Sequence, residues 1–308
     1  MFSQALSTIK TGWLLLRSVA VISSSVATIV STVLPLYLYF PISGNQLMIT
    51  FTLLIIGAFI IHGGLTHLLN DYIDDQSGTD AHSPAILSGG SRVIQTGLMS
   101  SQMMWRVGKG LIILLLMTTA ALAVFEFYKL SILLAIGLWG AISYSLPPLR
   151  LSYRPFVGEW FATFPSVLFL GLAGAWLTFD TLPEWAVQNA AINAIFCIAW
   201  VMVHHIPDRE ADQQAHPIKQ TSVVWAANKF GPAFSRLPAL FYFAITGLCA
   251  FWLGMERIWA AFGMVVIVAI AIRFIVKMDV NDPQQVSNYE KIILVLAMIN
   301  AVWLGIFI

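Results

Sequence analysis

The chain has 308 residues, 58% of them hydrophobic and only 10% charged, with a net charge of +1. Its mean hydropathy of +0.81 and sparse charge lie far from the roughly one-quarter charged residues of a soluble domain, which excludes a water-soluble globular fold. The near-neutral balance and the absence of a basic tail or stripe also exclude a general affinity for nucleic acid.

The N-terminal stretch Met1–Gly12 carries Lys10 and leads into a long apolar run without a small-residue cleavage signal, which predicts an uncleaved first span. Apolar stretches of ~17–25 residues, each enough to cross a bilayer as a helix, recur along the chain. They fall at 19–40, 47–69, 107–126, 130–147, 162–179, 187–206, 236–254, 257–276 and 290–308. The expected fold class is all-α: a multi-pass integral membrane protein of nine transmembrane helices, built as a single domain over 1–308. Cys197 and Cys249 both fall inside apolar segments and are assigned no disulfide or metal role.

With the N-terminus inside, the inner segments hold Lys10, Arg17, Arg92, Arg106, Lys109, Arg150, Arg154, Arg209, Lys219, Lys229, Arg236, Arg273, Lys277 and Lys291, and the outer ones only Lys129 and Arg257. This asymmetry predicts a cytoplasmic N-terminus, an odd number of spans and a C-terminus on the opposite side.

Two acidic clusters interrupt the apolar chain. Asn70-Asp71-Tyr72-Ile73-Asp74-Asp75, continuing to Asp80, ends the second span, and Asp208-Arg209-Glu210-Ala211-Asp212 follows the sixth. Carboxylates are costly near hydrocarbon and need partners. Asp71 and Asp74 are three apart, while Asn70 and Asp74, like Asp208 and Asp212, are four apart, so on helices each set shares a face. The predicted topology puts both clusters on the cytoplasmic side, where two facing groups of hard oxygen ligands suit Mg²⁺ held together with a diphosphate. The competing reading of the first cluster is a helix end emerging into water. That of the second is a solvated loop in which Arg209 neutralises a neighbour.

The inner loop after the second span contains Ser88-Gly89-Gly90-Ser91-Arg92-Val93-Ile94-Gln95-Thr96-Gly97, with glycines for unusual backbone geometry and Arg92 as a diphosphate-compatible fork, which together read as a lid. At the inner end of the fourth span, Tyr144-Ser145-Leu146-Pro147-Pro148-Leu149-Arg150-Leu151-Ser152-Tyr153-Arg154 combines a helix-stopping double proline with alternating aromatics and guanidinium groups. Either this is an aromatic belt with inside arginines, or Arg150 or Arg154 clamps the diphosphate while Tyr144 or Tyr153 faces a carbocation. His62, His67, His204 and His205 precede the acidic clusters. Hard oxygen donors suit Mg²⁺ better than imidazole, so His204 and His205 are expected in supporting hydrogen bonds or proton transfer and His62 in packing. Lys219 is either a phosphate partner or a solvated loop charge.

These residues resemble the UbiA superfamily of intramembrane prenyltransferases. The resemblance runs through Asn70 to Asp74, Ser77-Gly78-Thr79-Asp80, Ser88-Gly89-Gly90, Tyr144 to Arg154 with Gly158-Glu159, and Pro207 to Asp212. It covers most of the chain in the right order. It implies nine helices around a central cavity with a cytoplasmic cap, Mg²⁺ as cofactor, and Asn70, Asp71, Asp74, Asp208 and Asp212 as metal and diphosphate residues. The implied partners are an isoprenyl diphosphate, an aromatic or lipid-like acceptor, and membrane lipid. The Ser-Gly-Thr-Asp and Ser-Gly-Gly elements look most like the branch that prenylates 1,4-dihydroxy-2-naphthoate in menaquinone synthesis. The chain departs from the pattern at Gly78, where many relatives carry a third acid and where Asp75 and Asp80 are the substitutes at hand. It departs again at His204, where Asn is common, and at Arg17-Ser18, where Arg-Pro is usual.

The expected chemistry is ionisation of the diphosphate with help from Arg92, Arg150 or Lys219, then capture of the allylic cation by an aromatic acceptor, with another acceptor or membrane terpene cyclisation as variants. Two other classes compete. A phospholipid-headgroup phosphotransferase calls for a compact Asp-Gly-x-x-Ala-Arg run, which the chain lacks. An ion or solute transporter calls for carboxylates near mid-span, whereas these lie at helix ends.

Overall fold

The computed structural model of the protein describes residues 18–84 and 86–308. Lys10, Arg17 and the Met1–Gly12 segment lie outside the described residues. Every regular element among the described residues is helical. Among the described residues, nine helices are long and apolar enough to cross a membrane: Val19–Tyr39, Gly44–Ser77, Ser101–Val124, Tyr128–Ser145, Glu159–Thr178, Glu184–His204, Pro232–Leu253, Ile258–Lys277 and Pro283–Ile306. They are called the first to ninth spans below.

Each predicted span is present, but several helices run past the apolar stretch that announced them. The third begins at Ser101 rather than 107 and the ninth at Pro283 rather than 290. Their starts are fixed by caps that hydropathy does not register. The Ser100 hydroxyl accepts the Met103 N–H, and the Asp282 carboxylate accepts the N–H groups of Gln284 and Gln285. The largest difference is in the second span, which stays helical to Ser77 and ends on Gly78 at φ 82°. Asn70 to Asp75 therefore form the last turns of a helix and do not begin a loop.

The sixth span is the buried axis, enclosed over most of its length, and the first span is nearly as enclosed, whereas the third is peripheral. Small residues let the backbones approach, as expected in a bilayer. A Cβ added at Gly171 would sit 2.7 Å from the Thr28 hydroxyl and 2.9 Å from the Ala190 Cβ, and one at Gly174 would sit 2.8 Å from Val33. Three spans contain π-helical turns, Ile22–Val26, Phe59–Thr66 and Glu159–Thr163. Each of these turns lends residues to the same central cavity, in keeping with the use of π-bulges to re-aim side chains at functional sites.

The end of the bundle opposite the acidic clusters is closed by its few cations. Lys129 Nζ donates to the carbonyls of Trp176 and Phe179. Arg257 donates to Gln188 Oε1 at 2.7 Å, to Asn189 Oδ1 at 2.8 Å and to the Leu304 and Phe307 carbonyls. Both residues thus neutralise carbonyls left over where the fifth and ninth spans finish.

Candidate active site

The two acidic clusters meet. The His216 N–H, just beyond the short helix Arg209–Gln214, donates to the Ser77 carbonyl at the end of the second span. The main tie between the clusters is Lys219. Its Nζ lies 2.8 and 2.9 Å from the two oxygens of Asp74 and 3.8 Å from Asp212 Oδ1. One ammonium is therefore within reach of both clusters, and Lys219 is buried rather than solvated. Burial opposes its charge, but the Asp74 and Asp212 carboxylates more than offset that and hold it well above the ordinary lysine range.

The other predicted residues divide into two groups. Asn70, Asp74, Tyr144, Asp208, Asp212 and Lys219 line one cavity of about 530 Å³. Asn70 Nδ2 donates to Asp74 Oδ2 at 2.8 Å, as the four-residue spacing requires, and the Ser145 hydroxyl donates to Asn70 Oδ1 at 3.3 Å. The Tyr144 hydroxyl lies 3.1 Å from His205 Nε2, and His205 Nδ1 lies 4.0 Å from Asp212. Asp71, Arg92, Arg150, Tyr153 and Arg154 are not on the cavity wall.

Asp71 faces the loop after the second span, where it accepts both the backbone N–H and the hydroxyl of Ser91. Arg92, expected as a diphosphate clamp, donates from its guanidinium to the Asp80 and Ser83 carbonyls and so folds the loop. Arg150 lies over the Tyr153 ring, 5.4 Å from its centroid, and Arg154 is exposed. Arg209 pairs with the exposed Glu210 and with Val280 and Asn281, leaving Asp208 and Asp212 unneutralised by it.

Two glycines shape the Ser88–Ser91 turn. A Cβ on Gly89 would sit 2.0 Å from the Pro84 carbonyl oxygen, and Gly90 has φ 71° with its missing Cβ 3.0 Å from Asp80 Oδ2. Asp80, one of the two substitutes for the acid missing at Gly78, lines the cavity, and Asp75 does not.

The electrostatics favour a cation. Asp212 is 0% exposed, and among the described residues neither of its oxygens has a hydrogen-bond partner; one oxygen each of Asp71 and Asp208 is in the same position. Burial, and then repulsion by Asp212, pushes the Asp208 carboxyl up to about 7. Burial, and then Asp74 and Asp71, pushes Asp80 up to about 8. A divalent ion entering here would displace protons and occupy oxygens that the protein leaves open. Among the described residues no three His, Cys, Asp or Glu side chains converge tightly enough to hold a metal alone. Such a divided donor set fits Mg²⁺, which is commonly bound by one or two carboxylates with substrate phosphates completing its shell.

Beyond the acidic end, the cavity wall turns apolar, with Leu53, Leu54, Ile61, Leu122, Leu133 and Leu170 among its residues. The sequence does not mark Glu290 as a site residue, and it assigns Cys197 no disulfide or metal role. Cys197 is part of the cavity wall. Glu290 is fully buried, with its carboxylate 2.6 Å from His204 Nδ1; its signal was a lone glutamate at the edge of an apolar stretch. His62, expected only to pack, lies 2.7 Å from the Ser25 hydroxyl and also faces the cavity.

A family model described as the UbiA prenyltransferase family matches residues 11–297. None of the curated proteins matches the chain. Among solved structures, a UbiA homolog from Archaeoglobus fulgidus bound to GPP and Mg²⁺ superposes with a TM-score of 0.62 at 18% identity, covering 96% of this chain and 99% of that one. The homolog from the same organism bound to DMAPP and Mg²⁺ gives 0.59 at 18% identity, covering 97% and 100%. At that identity the likeness is one of fold.

Proposed function

The chain belongs to the UbiA prenyltransferase family, and from that premise we propose that it transfers an isoprenyl group from a polyprenyl diphosphate to an aromatic, naphthoate-like acceptor within the membrane, with Mg²⁺ as cofactor. The observation that carries this reading is the approach of Asp74 and Asp212 to Lys219, with Asp208 on the wall of the same cavity, whose remaining lining is largely apolar. The solved homologs bound to GPP or DMAPP with Mg²⁺ support the donor class. The Ser77-Gly78-Thr79-Asp80 and Ser88-Gly89-Gly90 elements support the acceptor of menaquinone-type synthesis. The charge asymmetry of the loops supports a cytoplasmic acidic end.

Asn70, Asp71, Asp74, Asp208 and Asp212 would hold the ion, which when bound neutralises the diphosphate and makes it a better leaving group. Lys219 sits where its ammonium can shift from Asp74 to a diphosphate oxygen. Ser91 steadies Asp71, and Asn70 steadies Asp74. The apolar wall accepts the prenyl chain and keeps water from the allylic cation, while Tyr144 offers an aromatic ring on the cavity wall.

The test is product analysis by mass spectrometry, with purified protein offered naphthoate, benzoate and glyceryl-phosphate acceptors and prenyl donors of several lengths. The expected result is a prenylated naphthoate that forms with Mg²⁺ and not with EDTA. Transfer that survives EDTA contradicts the metal role, and turnover confined to glyceryl phosphate contradicts the aromatic acceptor.

A further inference from the structure

We propose that the cavity selects long-chain prenyl donors, of about four isoprene units or more, and that Gly57 is the residue that admits the far part of the chain. This inference rests on the prenyl-transfer reading above and adds chain length to it. Tyr144 stands with the acidic residues on the cavity wall, and Ala141, Gly137, Leu134 and Leu130 follow it along one face of the fourth span at spacings of three and four residues. From Tyr144 to Leu130 this face runs about four turns of regular helix, ~21 Å at ~1.5 Å per residue. An extended isoprene unit is about as long as one such turn, ~5 Å, so the wall matches a chain of about four units.

The second span forms the facing wall. A Cβ on Gly137 would sit 2.9 Å from Ile61 Cδ1, so these two residues meet about two turns from Tyr144. Gly57 lies one turn deeper on the second span. Leu133 of the fourth span packs at that depth against the cluster that contains Leu54 and Ala58, which places Gly57 about three turns from Tyr144. Leu53 and Leu54 one turn before Gly57, and Ile60 and Ile61 one turn after it, all line the cavity, so Gly57 sits in the middle of the stripe that faces the chain.

The three glycines of the cavity wall differ in what surrounds them. Gly137 and Gly140 are close-packed, the latter with its missing Cβ 2.0 Å from the Ser166 hydroxyl, whereas a Cβ on Gly57 would meet no heavy atom of the described residues within 4 Å. A glycine inside a helix is destabilising relative to alanine, and at Gly57 no packed neighbour demands one. What it leaves is width at the depth of the third and fourth isoprene units. A bulky side chain there would obstruct those units and leave the first two, which lie nearer the diphosphate, their room.

The experiment measures Kd for non-reacting ten-carbon and twenty-carbon prenyl thiolodiphosphates with Mg²⁺, in wild type, Gly57→Ala, Gly57→Phe and Leu133→Trp, at one detergent concentration. No acceptor is needed, so the result does not depend on which acceptor the protein uses. Wild type should bind the twenty-carbon analogue at least about 10-fold tighter, a modest share of what burying two further isoprene units yields. Gly57→Ala, which adds one methyl to open space, should keep that ratio, and Gly57→Phe should bring it to near parity. Partitioning of the longer analogue into detergent acts on every variant alike and cannot change the ratio between them. A wild-type ratio near one overturns the inference, as does a Gly57→Phe variant that keeps the wild-type ratio. If Gly57→Phe fails to bind the ten-carbon analogue, Leu133→Trp, which obstructs the same depth from the fourth span, decides in the same way. Wild-type protein that binds neither analogue overturns the prenyl-donor reading, and this inference with it.

Discussion

Asp212→Asn is expected to slow prenyl transfer by about 10³-fold, the scale of losing a charge partner at a transition state, while leaving the protein in detergent at least as heat-stable as wild type when metal is absent. The two expectations have one cause. Asp212 is fully enclosed, and its oxygens have no hydrogen-bond partner among the described residues; Asp208 is its neighbour in charge, and the Lys219 ammonium is 3.8 Å away and engaged more closely by Asp74. A carboxylate in that state opposes folding until a cation arrives. Removing its charge relieves the fold and takes away a ligand. Thermal unfolding in EDTA beside labelled-product rates checks this. Loss of stability in proportion to loss of rate would mean that Asp212 holds the structure and not the ion.

Lys219→Met is expected to act in the opposite sense on stability. The ammonium is the cation nearest Asp74 and Asp212, and removing one partner of a buried pair costs about 3–5 kcal/mol because the remaining charge is stranded. Metal-free variant protein should therefore unfold well below wild type. Addition of Mg²⁺ with a prenyl thiolodiphosphate should recover much of the difference, since ligands that bind only the folded state stabilise it. Transfer should fall by about 10²-fold through loss of a charged donor to the leaving diphosphate. A variant whose metal-free stability equals that of wild type would show that Lys219 does not balance the two acidic clusters.

The architecture was legible because its signal is additive over long stretches: some twenty apolar residues identify a span whatever they pack against. The site was legible where spacing along one helix decides contact, as for Asn70 with Asp74. It was not legible where a side chain had alternatives in three dimensions. Arg92 reads as an anion clamp from its sequence neighbours alone, and its bonds to the Asp80 and Ser83 carbonyls depend on the Ser88–Ser91 turn that brings them within reach. Lys219 was balanced between water and phosphate because the approach of Asp74 from a helix 145 residues away depends on packing. Glu290 reads as the start of a span; its observed partner is His204, 86 residues earlier, and no local pattern links the two.

Under the proposed function, two acidic helix ends jointly hold a metal through the substrate diphosphate. Electron paramagnetic resonance of Mn²⁺ in place of Mg²⁺, with ³¹P electron–nuclear double resonance, tests it most directly. With a prenyl thiolodiphosphate present, the wild-type protein should give a bound Mn²⁺ signal coupled to phosphorus, and both Asp74→Asn and Asp212→Asn should lose it. Mn²⁺ that binds tightly without the diphosphate, or a phosphorus-coupled signal that survives removal of either carboxylate, would contradict the account.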